Sequence, residues 1–563
     1  MKTFLKQFID ANIKFLIGMF VCSLIVFFQY ANFSTILQAS HPALELAKPV
    51  LHYLCAVFEV FLLAFTVQVL LHRIPTMHRV ALWVFLGFNI LVFYVDVFLL
   101  FGWNSVFNQG MAEIVLSIDP YVVKDFLLLY VASVNTLAVV VMATAFLFVI
   151  TKALHVLFLR QSGKRYVVCM ILFLVSAAGF GSIQGRRIFF HAPLAQMDVP
   201  ALRAVSSMRA GYQALGSYDT VRQKLRALAE EEAIIVNDSD IPYVIFVLGE
   251  STDRNKMSLY GYSLKTSPLL EQRNTKGELA VFDDTIACAN ATTGAMQLIF
   301  SFKEKDEKGA WHEYPDMINV MKKAGYYTVW LSNQVKSGGA GNMDQILSNE
   351  SDDSHFTFIG DGTESYPKDD HLLSLLDDTM KSVHDKNFYV LHLMGTHEPF
   401  YYKYPKEYNR FTAEDETDGK EKWKQIRAEY DNAVLYNDYV MDEIIKRFTD
   451  KDAVVIYISD HGEEVCDGQD FFGHSVESKG NRHMVEIPFI VWGSDQFRQN
   501  RPALWAQIKQ AEHRPFRTDN IIHLFLDMMR IQTKSYDARK SVINSEFVET
   551  ERIYNKKPYQ KQT

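Results

Sequence analysis

The chain has 563 residues, a formal net charge of −8 and 22% charged residues. This length exceeds one ordinary domain, and an acidic balance with no basic arm or aromatic–basic stripe excludes nucleic-acid binding. The composition is split: apolar runs dominate residues 1–185, whereas the remainder carries charge throughout.

Five segments are apolar enough, and near enough the roughly 20 residues a bilayer requires, to cross it: residues 13–33, 50–71, 80–102, 126–151 and 166–184. Lys2, Lys6 and Lys14 flank the start of the first. Arg73 and Arg79 lie between the second and third, and Lys152, Arg160, Lys164 and Arg165 between the fourth and fifth. The loops at 34–47 and 103–123 contain no Lys or Arg. Positive residues favour the cytoplasm, so the pattern predicts a cytoplasmic N-terminus and an extracytoplasmic chain after residue 185. The first span is longer than a signal-peptide core and reads as an uncleaved anchor. Glu59 and Asp96 fall inside spans. Intramembrane carboxylates mark either a functional path or, as the second reading, a hydrogen bond between helices or a position near the interface. The second reading is preferred, because a transporter would have more spans and broken helices. Residues 186–240 form a juxtamembrane connector, with a surface-lying helix expected within 186–232.

From residue 242, short apolar runs alternate with helical patterns, the mark of an α/β domain with a mostly parallel sheet. Strands are predicted at 243–249, 326–332, 388–395, 453–459 and 487–493, with helices at 370–383 and 430–448. Ligands in such sheets bind where strands end. The strand at 243–249 ends in Glu250, that at 388–395 runs into Thr396-His397-Glu398, and that at 453–459 ends in Asp460-His461-Gly462. Carboxylates and imidazoles on one rim suit a four-coordinate Zn2+ site. Of the five cysteines only Cys288 and Cys466 lie in this half, so one disulfide at most forms there. With no CxxC pair in the chain, a cysteine zinc site is not expected.

"LGESTDRNKMSLYGY" (248–262) and "ISDHGEE" (458–464) resemble the alkaline phosphatase and sulfatase superfamily. More narrowly, together with "GTHEPFYYKYP" (395–405) and "RHMVEIPFIVW" (482–492), they resemble the bacterial phosphoethanolamine transferases. The resemblance covers essentially the whole chain and implies a five-span transmembrane domain (1–185), the connector (186–240) and a periplasmic, sulfatase-like catalytic domain (241–563). It implies a bacterial inner-membrane enzyme that moves phosphoethanolamine from phosphatidylethanolamine to lipopolysaccharide through a covalent threonine intermediate. It also implies Zn2+ held by Glu250, Thr292, Asp460 and His461, with a second, transient metal left open. Thr292 in "ACANATTGAMQLIFSF" (287–302) matches the nucleophile, with Thr293 the neighbouring competitor. His397 and His474 match the family's further catalytic histidines. Asn333 and Lys336 fall loosely in its donor-pocket region, and His483 is a weaker candidate for the histidine matched by His474, with packing or contact at the substrate rim preferred for it.

Two departures qualify the match. Relatives of the colistin-resistance type tie the nucleophile loop with a disulfide, whereas Leu298 stands where a partner for Cys288 would be, so packing must hold that loop. Their donor-binding Asn, Thr and Glu fall near Ile114, Ile118 and Val122, and that role is not carried over. "GEST", "SDHGEEV" and "YDARKSVINSEF" (536–547) resemble more closely the enzymes that decorate core heptose, so this acceptor is preferred over lipid A. A sulfatase activity would need C-x-P-x-R or S-x-P-x-R, and "CANATT" has neither the Pro nor the Arg. The rival readings are a phosphoglycerol transferase of the lipoteichoic-acid type and a membrane-anchored scaffold without activity.

Overall fold

A computed structural model describes residues 2–31, 46–103, 106–117, 134–160, 165–189, 197–334, 342–357, 367–417, 420–467, 470–474, 481–554 and 557–561. Among the described residues five helices are long and apolar enough to cross a membrane: Lys6–Tyr30, Ala47–Leu71, Pro75–Phe101, Thr136–His155 and Tyr166–Gln184. The start of the fourth predicted span, 126–133, lies outside the described residues. The chain divides into two compact units between Gly216 and Ser217, within a long connector helix, α1 (Pro200–Glu231).

Glu59 and Asp96 serve the start of α1. A helix leaves its first N–H groups without internal partners, and here side chains of the spans supply them. The Glu59 carboxylate accepts the N–H groups of Asp198 and Val199, each at 2.9 Å, and Asn89 Oδ1 accepts that of Ala201 at 3.0 Å. Arg203 pairs with Asp96, which also accepts the Phe107 N–H at 2.8 Å, and His52 Nδ1 lies 3.0 Å from Asp198 Oδ1. The hydrogen bond between helices expected from the sequence is present at Asp96, with the connector helix as its partner, while Glu59 holds the two residues ahead of that helix. Within the residues assigned to the connector, Ile234–Asn237 pairs antiparallel with the strand Ile531–Thr533 of the second unit.

The second unit is built on a seven-stranded sheet. Its strands in chain order are β1 (Tyr243–Gly249), β2 (Leu279–Phe282), β3 (Tyr327–Ser332), β4 (Asp353–Phe356), β5 (Asn387–His392), β6 (Ala453–Ser459) and β7 (Phe489–Gly493). In space they run β2-β7-β6-β1-β5-β3-β4. Only β7 runs against the others. The edge strands β2 and β4 were not expected from the sequence, and β5 stops at His392 instead of reaching 395.

β1 and β6 read as unbroken apolar runs because both faces of the sheet are covered. On one face Ile245, Tyr389, Val455 and Tyr457 pack with Val440 and Ile444 of the helix Lys424–Lys446. On the other, Phe246 stacks edge-on against Phe525 at 4.9 Å and lies 5.6 Å from Phe300. Each such side chain removed from water contributes roughly 1.5–3 kcal/mol, which fixes the centre of the sheet and the strand ends beside it.

Candidate metal and phosphoryl-transfer site

Pairing register brings the two carboxylates together. Gly249 pairs with Ser459 across the parallel β1–β6 ladder, so the next residues, Glu250 and Asp460, leave the sheet side by side. Leu248 pairs with His392 on the other flank, which delivers residues 393–397 to the same rim. β1 is central and its neighbours on either side end together, the crevice position at which open α/β sheets bind ligands.

The turn after β1 is tightly braced. Ser251 sits at φ +60°, a conformation a non-glycine residue holds only when its surroundings impose it. Tyr430 accepts the Asp253 N–H at 2.8 Å and donates to the Ser251 carbonyl at 2.7 Å. Thr396 Oγ1 donates to the same carbonyl at 2.8 Å. Gly395 has φ +49°, and a Cβ there would come within 2.6 Å of the Glu250 carbonyl oxygen. A Cβ on Gly462 would meet the His483 carbonyl oxygen at 2.0 Å, so the Asp460–His461 turn and the 481–486 segment touch backbone to backbone.

Glu250, Asp460 and His461 are fully buried and offer ligand atoms within 4.8 Å of one another. His461 Nε2 lies 3.1 Å from Glu250 Oε1 and 3.5 Å from Asp460 Oδ2. Its Nδ1 lies 2.8 Å from the Gly462 carbonyl, a bond that holds the Nδ1 proton and turns Nε2 toward the carboxylates. Asp460 Oδ1 accepts the His461 and Ser251 N–H groups at 2.7 and 3.2 Å. Asp460 Oδ2 is buried without a hydrogen-bond donor, an arrangement that is costly unless a cation meets it. Burial pushes the Asp460 pKa up, reinforced by the Glu250 charge, to about 6. Burial opposes charge on His461, but Asp460 and then Glu250 override it and push its pKa up to about 10. Two buried carboxylates, an imidazole nitrogen turned toward them and an acceptor without a donor fit a divalent cation of the zinc type, which would take the place of the Nε2 proton.

Thr292 opens the eight-residue helix α2 (Thr292–Ile299). Its Oγ1 is 3.1 Å from both Glu250 carboxylate oxygens and 3.3 Å from His461 Nε2. Thr293 is exposed. Ala291 stands at the N-cap without a side-chain bond to the first turn. A capping Ser or Asp would contribute about 1 kcal/mol there, and its absence leaves the N–H groups of the first turn to an anion. No disulfide ties the loop, since Cys288 and Cys466 are both free and buried. It is held instead by the Cys288 N–H bonded to Thr518 Oγ1 at 3.0 Å and the Ala287 N–H bonded to the Val485 carbonyl at 2.8 Å.

His474 and His397 join this group. The His474 ring is centred 4.2 Å from that of His461 and 5.6 Å from that of His397. His483 stands apart from the ligand group: it is nearly buried, and its Nδ1 pairs with Asp253 at 2.7 Å. Asn333 is fully buried, and its amide is occupied by Asp369 at 2.7 Å and the Pro367 carbonyl at 2.9 Å. Asp369 in turn accepts the Met394 and Gly395 N–H groups at 2.8 Å. Asn333 therefore positions the loop after β5. Lys336 lies outside the described residues.

Two neighbours were not singled out from the sequence. Glu463 is buried, with Oε2 3.1 Å from His474 Nδ1. Gln334 donates to Glu250 Oε2 at 3.2 Å and to the Leu393 carbonyl at 2.8 Å. A carboxylate two residues beyond the His461 ligand position could have pointed to Glu463. Nothing local pointed to Gln334.

A mostly parallel α/β sheet whose central strand ends in a carboxylate, beside an Asp-His pair and a helix-opening threonine, is the frame on which this site is built. The sulfatase family model matches residues 242–531, more than half of the chain, and the protein belongs to the sulfatase family. Within that family it is similar to phosphoethanolamine transferase EptC of Escherichia coli O18:K1:H7 (strain RS218 / NMEC), 30% identical over 375 residues. That match takes in 62% of this chain and 63% of EptC, so the chain spans less than two thirds of the relative's length. Phosphoethanolamine transferase CptA of Salmonella typhimurium (strain LT2) is 28% identical over 334 residues, 56% of each chain. Among solved structures, the C-terminal periplasmic domain of Escherichia coli EptC in complex with Zn superposes with a TM-score of 0.52 at 29% identity. It covers 56% of this chain and 89% of that domain.

Proposed function

We propose that the protein is a bacterial inner-membrane enzyme that transfers phosphoethanolamine from phosphatidylethanolamine to lipopolysaccharide on the extracytoplasmic side. Core heptose is the preferred acceptor and lipid A the next. The observation that carries this reading is the Thr292 hydroxyl at an uncapped helix start, 3.1 Å from both Glu250 oxygens and 3.3 Å from His461 Nε2. The similarity to EptC and CptA supports it, as does the zinc complex of the EptC domain.

Glu250, Asp460, His461 and Thr292 would hold a zinc ion. Bound there, it supplies positive charge for the threonine oxygen and the phosphoryl group, which removes the need for a separate strong base. In the first half-reaction the Thr292 Oγ1–P bond forms and the bond from phosphorus to the diacylglycerol oxygen breaks. The hydroxyl proton has acceptors within hydrogen-bond reach, and the departing oxygen takes a proton from His397 or His474. The first-turn N–H groups of α2 bind the phosphoryl oxygens, since this chemistry depends mainly on position and charge. In the second half-reaction a sugar hydroxyl gives its proton to the same imidazoles. The acceptor O–P bond then forms, the Thr292 Oγ1–P bond breaks and the threonine is regenerated. Glu463 keeps His474 oriented through Nδ1.

The test is purified full-length protein given phosphatidylethanolamine labelled in its headgroup, with phosphatidylglycerol as the competing donor. The reading expects label on Thr292 and then on acceptor glycolipid. Label from phosphatidylglycerol alone would make the protein a phosphoglycerol transferase, and stable wild-type protein with no label and no zinc would make it a scaffold. Mass spectra of envelope glycolipids with and without the gene separate core from lipid A.

A further inference from the structure

The first, third and fourth spans enclose a groove of about 580 Å³ that the proposed reaction does not use. Ile17, Leu86 and Phe148 form its walls, and Lys14, Lys152 and His155 lie at one end. The groove has an apolar body because Gly18 lets the third span close in: a Cβ there would meet Leu86 Cδ2 at 3.0 Å. At the other end the Tyr94 hydroxyl and Thr144 Oγ1 are joined at 2.8 Å. Lys14 to Cys22 takes two turns, roughly 12 Å of helix, enough for the upper part of an acyl chain. No carboxylate lines the groove, and among the described residues neither Lys14 nor Lys152 has a carboxylate partner. The Lys152 ammonium lies 5.5 Å from the centre of the Phe148 ring, which places a cation directly over the apolar wall.

We infer that this groove is a binding site for one anionic phospholipid, its acyl chain between the spans and its phosphodiester at Lys14, Lys152 and His155. An apolar trough ending in unpaired cations between membrane helices is complementary to a lipid with net negative charge. It is a poor seat for phosphatidylethanolamine, whose ammonium would sit beside two lysines. With the N-terminus in the cytoplasm this end of the groove lies in the inner leaflet, opposite the proposed donor. The inference rests on the proposed orientation only for the choice of leaflet, and it needs no transferase activity.

The test uses the intact protein in detergent micelles doped with phosphatidylglycerol or phosphatidylethanolamine of equal chain length, with bound lipid read by native mass spectrometry. Wild type should retain phosphatidylglycerol in preference. Each lysine replaced by Gln should weaken binding about fivefold, so K14Q/K152Q should lose most of the adduct, and K14R/K152R should keep it. R73Q/R79Q, which removes charge from the neighbouring loop outside the groove, should retain wild-type binding. Equal retention of both lipids, unchanged binding in K14Q/K152Q, or an equal loss in R73Q/R79Q would each overturn the assignment. These readouts stand whether or not phosphoethanolamine is transferred, so the two readings fail separately.

Discussion

Two of the clusters of buried carboxylates, one among the membrane spans and one at the rim of the sheet, are set apart by their neighbours. Glu59 and Asp96 face the N–H groups of Asp198, Val199 and Phe107 and the Arg203 guanidinium. Those donors are fixed by the backbone or permanently charged, so the cluster is complete within the chain. Glu250 and Asp460 face a hydroxyl and an imidazole as well, and although backbone N–H groups meet Asp460 Oδ1, the other oxygen, Asp460 Oδ2, has no donor. A buried acid surrounded by backbone donors is structural. One surrounded by exchangeable protons, with an acceptor left over, points to a ligand.

The largest expected effect falls on the second cluster. Thr292→Ala should lower headgroup transfer by at least about 10³-fold and abolish the labelled protein intermediate, while the circular dichroism spectrum stays that of wild type. Retained labelling would end the distinction between the clusters. Asp96→Ala should instead destabilise the membrane unit by about 3–5 kcal/mol, because Arg203 is left buried without its partner; thermal unfolding in detergent measures it, and zinc content should not change. Asp460→Asn should do the reverse, losing zinc by metal analysis while the metal-free protein keeps or gains stability, since one of two repelling charges is gone. If both variants behave alike, the comparison fails.

Smaller effects sharpen it. Glu463→Gln should reduce transfer about 10–100-fold through a misoriented His474, with zinc still bound. His483 offers a pH test outside the ligand group. Burial disfavours its charge, but Asp253 overrides this and pushes its pKa up to about 9, above the ~6.5 of a free histidine. The pair therefore stabilises the fold fully below about pH 6.5 and loses that contribution as pH rises through 9. His483→Gln should cost about 2 kcal/mol at pH 6 and little at pH 10. A loss equal at both values would show that shape, not charge, is what His483 contributes.

Glu250, Asp460 and His461 were legible in the sequence because each directly follows a strand made conspicuous by burial on both faces. Thr292 came from likeness to known motifs, since "CANATT" alone does not say which hydroxyl faces the carboxylates. What was missed has physical causes. β4 is a short edge strand of mixed polarity, "DSHF", with no apolar run to betray it. The reversal of β7 leaves no trace, because side-chain alternation reads the same in either direction. Glu59 and Asp96 could be noticed but not assigned, since their partners on the connector lie more than a hundred residues along the chain. Gln334 and Asn333 are adjacent in sequence. Only the fold shows that the first reaches Glu250 while the second is locked onto Asp369.

The unbonded thiols of Cys288 and Cys466 bear on where this domain can mature. The loop that leads to Thr292 is closed by Thr518 and Val485 instead of a sulfur bridge, so its shape requires no oxidant and no reshuffling enzyme. Reducing and oxidising buffers should therefore give this domain the same thermal stability.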